Sequence, residues 1–233
     1  MRINKYLASC GLGSRRKVEE LIINKKIKVN GVIVTDLSTD IKDNDIVFFV
    51  DKKVILETEK VYIMLNKPKC YITSLKDEKD RRVVTDLIKN CKVKVFPVGR
   101  LDYNTEGLLI LTNDGDFANE IIHPSKHISK TYEVKTKFML TNKQMAQIRK
   151  GIIIDSQLTL PAEITFIDRD ENYFVYHITI YEGRNREIRK MFESLNLKIY
   201  NLKRLSIGNL ELGDLQMGKY KYLTKEEINK IFY

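Results

Sequence analysis

Gly99-Arg100-Leu101-Asp102-Tyr103-Asn104-Thr105-Glu106-Gly107-Leu108-Leu109-Ile110-Leu111-Thr112-Asn113-Asp114-Gly115 is the stretch on which the reading of this chain turns. Leu108 to Leu111 is continuously apolar, the pattern of a strand covered on both faces. Asn113-Asp114-Gly115 then turns the chain into a helix carrying Phe117 and Ile121, which Pro124 ends. Upstream, Val93 to Val98 reads as another strand, so the residues between the two form a loop at the edge of a sheet. That loop carries one carboxylate, Asp102, with Arg100 two residues before it. Loops held on a rigid sheet are where reactive groups tend to sit. By residue type alone, Asp102 reads first as a turn residue bonding its own backbone.

Working outward, Val61, Ile63 and Leu65 alternate with other residues up to Pro68, a charged loop runs from Lys76 to Arg82, and Thr85 is placed to cap a short helix. On the other side Tyr132, Val134, Thr136 and Phe138 alternate along a strand. Thr141 with Gln144 makes a capping box and Gly151 terminates the helix so started. Strands follow at Leu160 to Ile167 and Tyr173 to Tyr181. Ile188, Met191, Phe192 and Leu195 trace an amphipathic helix, and Thr224 with Glu227 caps a last short one. Six or more strands with interspersed helices, several strands following one another directly, predict an α+β domain built on a mixed, largely antiparallel sheet with flanking helices.

The first fifty residues read as a separate unit. Ile3 and Leu7 lie four apart on a short helix, Gly11-Leu12-Gly13 breaks it, and Ser14 is placed to cap a second helix whose apolar face is Val18, Leu21 and Ile22. Asn30-Gly31 between Ile27/Val29 and Val32 to Val34 signals a two-residue hairpin, and Ile46 to Val50 is a further strand. Asp51-Lys52-Lys53 and Glu57 to Lys60 have little to bury, which divides the chain into a domain at 1–52, a linker at 53–60 and a second domain at 61–233.

With 233 residues, 43% hydrophobic and 31% charged, the composition is that of an ordinary globular protein and excludes a disordered or fibrous chain. Cys10, Cys70 and Cys91 are odd in number and far apart, which fits neither a disulfide framework nor a zinc knuckle. The longest apolar runs fall well short of the roughly 18 residues a membrane helix needs. No apolar segment follows the basic start Met1-Arg2, so a cytoplasmic location is expected. Lys and Arg exceed Asp and Glu by 41 to 31, a net +10, which suggests an anionic partner. Eight of the twelve arginines fall in four places, Arg15/Arg16, Arg81/Arg82, Arg100 and Arg184/Arg186/Arg189. Arg suits bidentate phosphate or carboxylate recognition, so this grouping says more than the net charge. Ser14-Arg15-Arg16-Lys17 opens a helix, where free N–H groups and the dipole favour phosphate; a solvated basic face is the alternative.

The order Gly-x-Gly-Ser-Arg-Arg, apolar helix, Ile27-x-Val29-Asn30-Gly31 and Asp45-Ile46-Val47 resembles the S4 RNA-binding module. Residues 99–115 resemble the signature of the pseudouridine synthases, in the ribosomal RNA branch that joins an S4 module to the catalytic domain. Leu65-Asn66-Lys67-Pro68 is similar to that family's first motif, Lys130-Thr131-Tyr132-Glu133-Val134 to its tyrosine strand, and Glu182 to Met191 to its arginine helix, with a weaker match at Arg204 to Gly208. Two positions depart from the pattern. Cys70 stands where Gly is usual, which leads us to expect a differently shaped loop, and Glu187 stands where Gln is frequent.

The resemblance implies isomerisation of a uridine within RNA, by breaking the N1–C1′ bond and rejoining the base through C5, with no cofactor and no metal. Asp102 would be the essential carboxylate, acting at C6, at C1′ or on a glycal intermediate. Arg189 would pair with Asp102, and Tyr132 would stack on the uracil. Arg100 would fill the gap left by the flipped nucleotide. Arg15, Arg16, Lys17, Lys67, Arg100, Arg184 and Arg186 are the expected RNA contacts. Details such as Tyr103-Asn104-Thr105-Glu106 are more similar to the large-subunit branch, with a target in the peptidyl-transferase region of 23S RNA, than to the small-subunit branch. His123 and His127 are spaced like a metal pair, but Pro124 interrupts them and they are read as structural or RNA-facing. A monomer is expected. The runner-up is a non-catalytic S4-type ribosomal RNA-binding protein, which leaves the Asp102 loop without purpose. An S4-bearing methyltransferase is set aside because the one Gly-x-Gly, Gly11 to Gly13, lies between two helices.

Overall fold

The structure, a computed structural model, describes residues 1–57 and 59–233. Thr58, within the expected linker, lies outside the described residues. The chain divides into two compact units, Met1–Val61 with the short segments Lys92–Lys94 and Asn113–Gly115, and the remainder to Tyr233.

The first unit packs helices α1 (Ile3–Ser9) and α2 (Arg15–Ile23) with strands β1 (Ile27–Val29), β2 (Val32–Ile33), β3 (Val47–Phe49) and β4 (Lys52–Lys53), in the antiparallel order β2-β1-β3-β4. Its core is Ile3, Leu7, Val18, Ile22, Ile27, Ile41 and Val47. The Ser14 hydroxyl accepts the Lys17 N–H, and Asn30 and Gly31 take positive φ at the hairpin. Lys52 and Lys53 were expected at the edge of a linker. They form β4 instead, turned back by Val50 and Asp51 at positive φ; both side chains are exposed, so the strand is made by its backbone and leaves no apolar pattern.

The second unit is one large sheet. Its elements in chain order are β5 (Tyr62–Lys67), β6 (Phe96–Val98), β7 (Glu106–Thr112), α3 (Gly115–Ile122), β8 (Lys130–Thr136), α4 (Asn142–Lys150), β9 (Ile153–Ile154), β10 (Gln157–Leu158), β11 (Glu163–Arg169), β12 (Phe174–Ile180), α5 (Glu187–Ser194), β13 (Ile199–Ile207), β14 (Leu210–Glu211), β15 (Tyr220–Tyr222) and α6 (Lys225–Asn229). The strand order is β11-β12-β8-β13-β7-β5-β15, with β6 added on β7 and β14 on β13, while β9 and β10 form a separate hairpin. Every pairing in the large sheet is antiparallel except β13 with β7. All seven residues of β7 are buried, as its unbroken apolar run predicts. Between the two parallel strands the fit is close: a Cβ on Gly107, which sits at φ +105°, would lie 2.2 Å from the Arg204 carbonyl oxygen.

Two expectations need correction here. Thr85 does not cap a helix; it lies inside a 3₁₀ turn, Val84–Leu87, at whose start the Asp86 carboxylate accepts the Val83 N–H at 2.9 Å. Cys70 does not reshape its loop, because it adopts φ +65°, the left-handed conformation that Gly would supply, and its N–H donates to the Tyr103 carbonyl at 2.8 Å.

Candidate active site

The loop between β6 and β7 is fixed through its main chain. Thr73 Oγ1 donates to the Leu101 carbonyl at 2.7 Å. Lys67, at the end of β5, is fully buried and donates from Nζ to the carbonyls of Pro68 at 3.0 Å, Asp102 at 3.1 Å and Thr105 at 2.8 Å. Burial draws its ammonium down to about 8, with the Asp102 charge acting in the opposite direction. Lys67 was expected among the RNA contacts. Its ammonium is instead spent on three carbonyls, two of them in this loop, which leaves the Asp102 side chain free to project.

From the far side α5 supplies Arg189. Its Nε lies 3.5 Å from Asp102 Oδ2, and its Nη2 donates to Asn104 O at 2.9 Å and Thr105 Oγ1 at 3.1 Å. The pair is therefore an ion pair without the bidentate fork, since the guanidinium divides itself between the carboxylate and the turn after it. The Asp102 side chain keeps a third of its surface, against 13% for Arg189.

Asp102 faces a cavity of about 400 Å³ also lined by Arg100, Lys130, Tyr132, Arg184, Arg186, Glu187, Arg189 and Arg204. Three strands set its floor: Tyr132 on β8 stands opposite Ile178 on β12 and Arg204 on β13. Tyr132 is buried, with Arg204 Nη1 at 3.4 Å from its hydroxyl and the guanidinium carbon 5.9 Å from the ring centroid. The three central residues of the sequence reading thus meet at one cavity. Arg100 is exposed at its rim.

Arg184 and Arg186 line the same cavity but are not alike. Arg184 is braced, its Nε on Glu182 Oε2 at 2.8 Å and its Nη2 on the Leu158 carbonyl at 2.7 Å. Arg186 sits at the N-cap of α5 with φ +54°, and among the described residues its side chain makes only an exposed ion pair with Glu193 at 3.3 Å. Arg15, Arg16 and Lys17 lie exposed on the first turn of α2 in the first unit, with Lys17 pairing to Glu20 at 3.0 Å. His123 caps the short turn at Pro124–Lys126, its Nδ1 2.8 Å from Ser125 Oγ.

Sequence reading missed three residues of this cavity. Lys130 precedes Tyr132 by two on an alternating strand, a spacing that puts both on one face, so the signal was present. Its Nζ donates to the Ile128 carbonyl at 2.8 Å, and burial, helped by Arg204, lowers it to about 8. Glu187, noticed only as a departure from Gln, is buried and pushed up to about 7, by desolvation first. Arg204 stood at the start of the weakest motif match and carried no assigned role, because a buried Arg in a strand reads as a break in the apolar pattern.

Residues 61–194 match the family described as RNA pseudouridylate synthase, and residues 1–47 match the S4 domain. The chain is 42% identical over 200 residues to the "Ribosomal large subunit pseudouridine synthase B" of Bacillus subtilis (strain 168), covering 85% of this chain and 82% of that protein. It is 39% identical over 233 residues to an "Uncharacterized RNA pseudouridine synthase" of Aquifex aeolicus (strain VF5), covering 100% of this chain and 94% of the relative. A crystal structure of a pseudouridylate synthase superposes with a TM-score of 0.72 at 31% identity, covering 99% of each chain. Fold and site together define an RNA-modifying isomerase preceded by an RNA-binding module. The chain belongs to the RNA pseudouridylate synthase family.

Proposed function

We propose that this chain converts a uridine of ribosomal RNA to pseudouridine, that the RNA is the 23S species, in its peptidyl-transferase region, and that the enzyme works as a cytoplasmic monomer. The name of the Bacillus subtilis relative supports the large-subunit assignment. The observation that carries the reading is the Asp102–Arg189 pair, 3.5 Å apart, at a cavity that also holds Tyr132. An ion-paired carboxylate on a main-chain-fixed loop is ready to react at the sugar or the base. The Tyr132 ring offers a surface on which an extruded uracil can stack, and Arg100 at the rim is placed to occupy the vacated stack. Arg184 and Arg186 take the flanking phosphates, and residues 1–52, with Arg15, Arg16 and Lys17 exposed on α2, add a sequence-independent grip on the backbone.

Release of tritium from C5-labelled 23S RNA tests the proposal. Asp102→Asn is nearly isosteric, and the bonds that Lys67 and Thr105 make go to or through the Asp102 carbonyl, so the variant should fold and bind RNA. Turnover should fall by at least about a thousandfold. A folded Asn variant that releases tritium normally removes Asp102 from the chemistry.

A further inference from the structure

Beneath the cavity lie two cations that the reading above leaves without work. Lys130 and Arg204 both line it, one two residues before Tyr132 on β8 and the other opposite Tyr132 on β13, and among the described residues neither forms an ion pair. Lys130 shares the Tyr132 face of β8 and gives one bond to the Ile128 carbonyl, which leaves two of its three donors unused. Arg204 is 3% exposed, gives Nε to the Leu108 carbonyl at 2.7 Å and Nη1 to the Tyr132 hydroxyl at 3.4 Å, and leaves Nη2 buried without a partner. Arg204 is buried and Lys130 half-buried, with the Glu187 carboxyl as the acidic group within electrostatic reach of Lys130; two cations so placed at one cavity, neither in direct contact with a carboxylate, are prepared for an anion that arrives from outside.

The anion follows from the chemistry of the proposed reaction, on which this inference rests. When the N1–C1′ bond breaks, its electron pair stays with N1 and spreads through the ring to O2 and O4, and C1′ is left electron-poor, as an oxocarbenium carbon beside the Asp102 carboxylate or as its ester, so the detached base is negatively charged until C5 bonds to C1′ and the carboxylate is released. The C5 proton is then lost to water and N1 takes one up, which closes the balance with no other reactant. We propose that Lys130 and Arg204 form the electrostatic seat of this departing base: Lys130 faces a uracil oxygen directly, and Arg204 acts as a positioning residue, fixing the Tyr132 hydroxyl and adding its charge through the ring. Fixed charges aimed at where charge develops stabilise a transition state more than a ground state.

The alternative occupant of the same cations is a phosphate of the bound strand, and the two separate cleanly in experiment. Full-length protein in excess over C5-tritiated 23S transcript gives a single-turnover rate constant, and filter binding across salt concentrations gives affinity. Lys130→Gln is expected to lower the rate constant about a hundredfold while leaving affinity and its salt slope unchanged. Arg204→Lys, which keeps the charge, should retain more activity than Arg204→Gln. A wild-type rate constant for Lys130→Gln overturns the proposal, whatever the Arg204 variants do. A weaker affinity with a shallower salt slope and an unchanged saturating rate overturns it too, and assigns Lys130 to phosphate. Since Asp102→Asn is assayed alongside, failure of the catalytic reading is visible separately as normal turnover in that variant.

Discussion

Replacing Glu187 by Gln isolates one buried carboxyl and converts its environment into a measurable pH dependence. Glu187 opens α5, is 4% exposed, and accepts the Arg184 N–H at 2.8 Å. Desolvation raises it from an ordinary 4.5 to about 7, the Glu182 carboxylate adds to the rise, and the Arg184 N–H and charge oppose it, while Lys130 lies within electrostatic reach. The folded state therefore keeps a proton between 4.5 and about 7 that the unfolded chain has released. Stability from this group is present in full below 4.5 and is lost as pH rises through 7; the interval corresponds to about 3 kcal/mol as an upper bound.

Gln has the same shape, can accept the same N–H, and never ionises. Glu187→Gln should thus match the wild type near pH 4.5 and exceed its stability by up to about 3 kcal/mol at pH 8, with most of the divergence between pH 5 and 7. Urea unfolding followed by circular dichroism at a series of pH values measures this, a convenient probe in a chain with no Trp. Parallel stability curves for the two proteins would show that Glu187 titrates normally in the fold, and would refute the argument from burial.

Three further outcomes follow from the same geometry. Arg189→Lys keeps a charge near Asp102 but loses the two bonds from Nη2 to Asn104 O and Thr105 Oγ1, so tritium release should fall roughly ten- to hundredfold with RNA affinity retained; a fully active Lys variant would make the guanidinium dispensable. Tyr132→Phe keeps the stacking face and removes the hydroxyl that Arg204 approaches, so affinity should hold while the single-turnover rate drops at least about tenfold, and an unimpaired rate would reduce Tyr132 to a platform. Cys70→Gly relieves a left-handed residue at a cost of about 1–2 kcal/mol, offset by about 0.5–1 kcal/mol of added freedom in the unfolded chain, and should raise the melting temperature slightly; a lower one would show that the Cys70 side chain supports the loop.

What the sequence made legible was local: helix caps at Ser14, Thr141 and Thr224, the Asn30-Gly31 hairpin and the buried run of β7 all carry their cause within a few residues. The strand β13, which joins β8 to β7 at the centre of the sheet, was not legible. Its residues Ile-Tyr-Asn-Leu-Lys-Arg-Leu-Ser-Ile mix charge with apolar side chains, and its register shifts between Ile199 and Asn201 and again between Arg204 and Ser206, which spoils the period of two. Asp102, Tyr132 and Arg189 were found through motif resemblance, whereas spacing alone left each with an ordinary structural explanation. The fate of Lys67 was hidden for a different reason: nothing in a sequence distinguishes a lysine that meets phosphate from one that meets three carbonyls.

The missed strand and the missed cations are one phenomenon. β13 can lie parallel beside β7 only because Gly107 has no side chain to strike the Arg204 backbone, and that approach brings Arg204 under Tyr132 with its Nε on the Leu108 carbonyl. The same β7 begins where the Asp102 loop ends, at Glu106, whose carboxylate accepts from Asn201 of β13 at 2.7 Å. Any displacement of β13 relative to β7 therefore moves the cavity floor against the reactive loop. The loop is held to β5 through Lys67 and to α5 through Arg189, so four elements converge on a few residues around Asp102. A loop in so constrained a frame holds the Asp102 main chain in place beside the cavity, as the proposed rearrangement of a detached base would require.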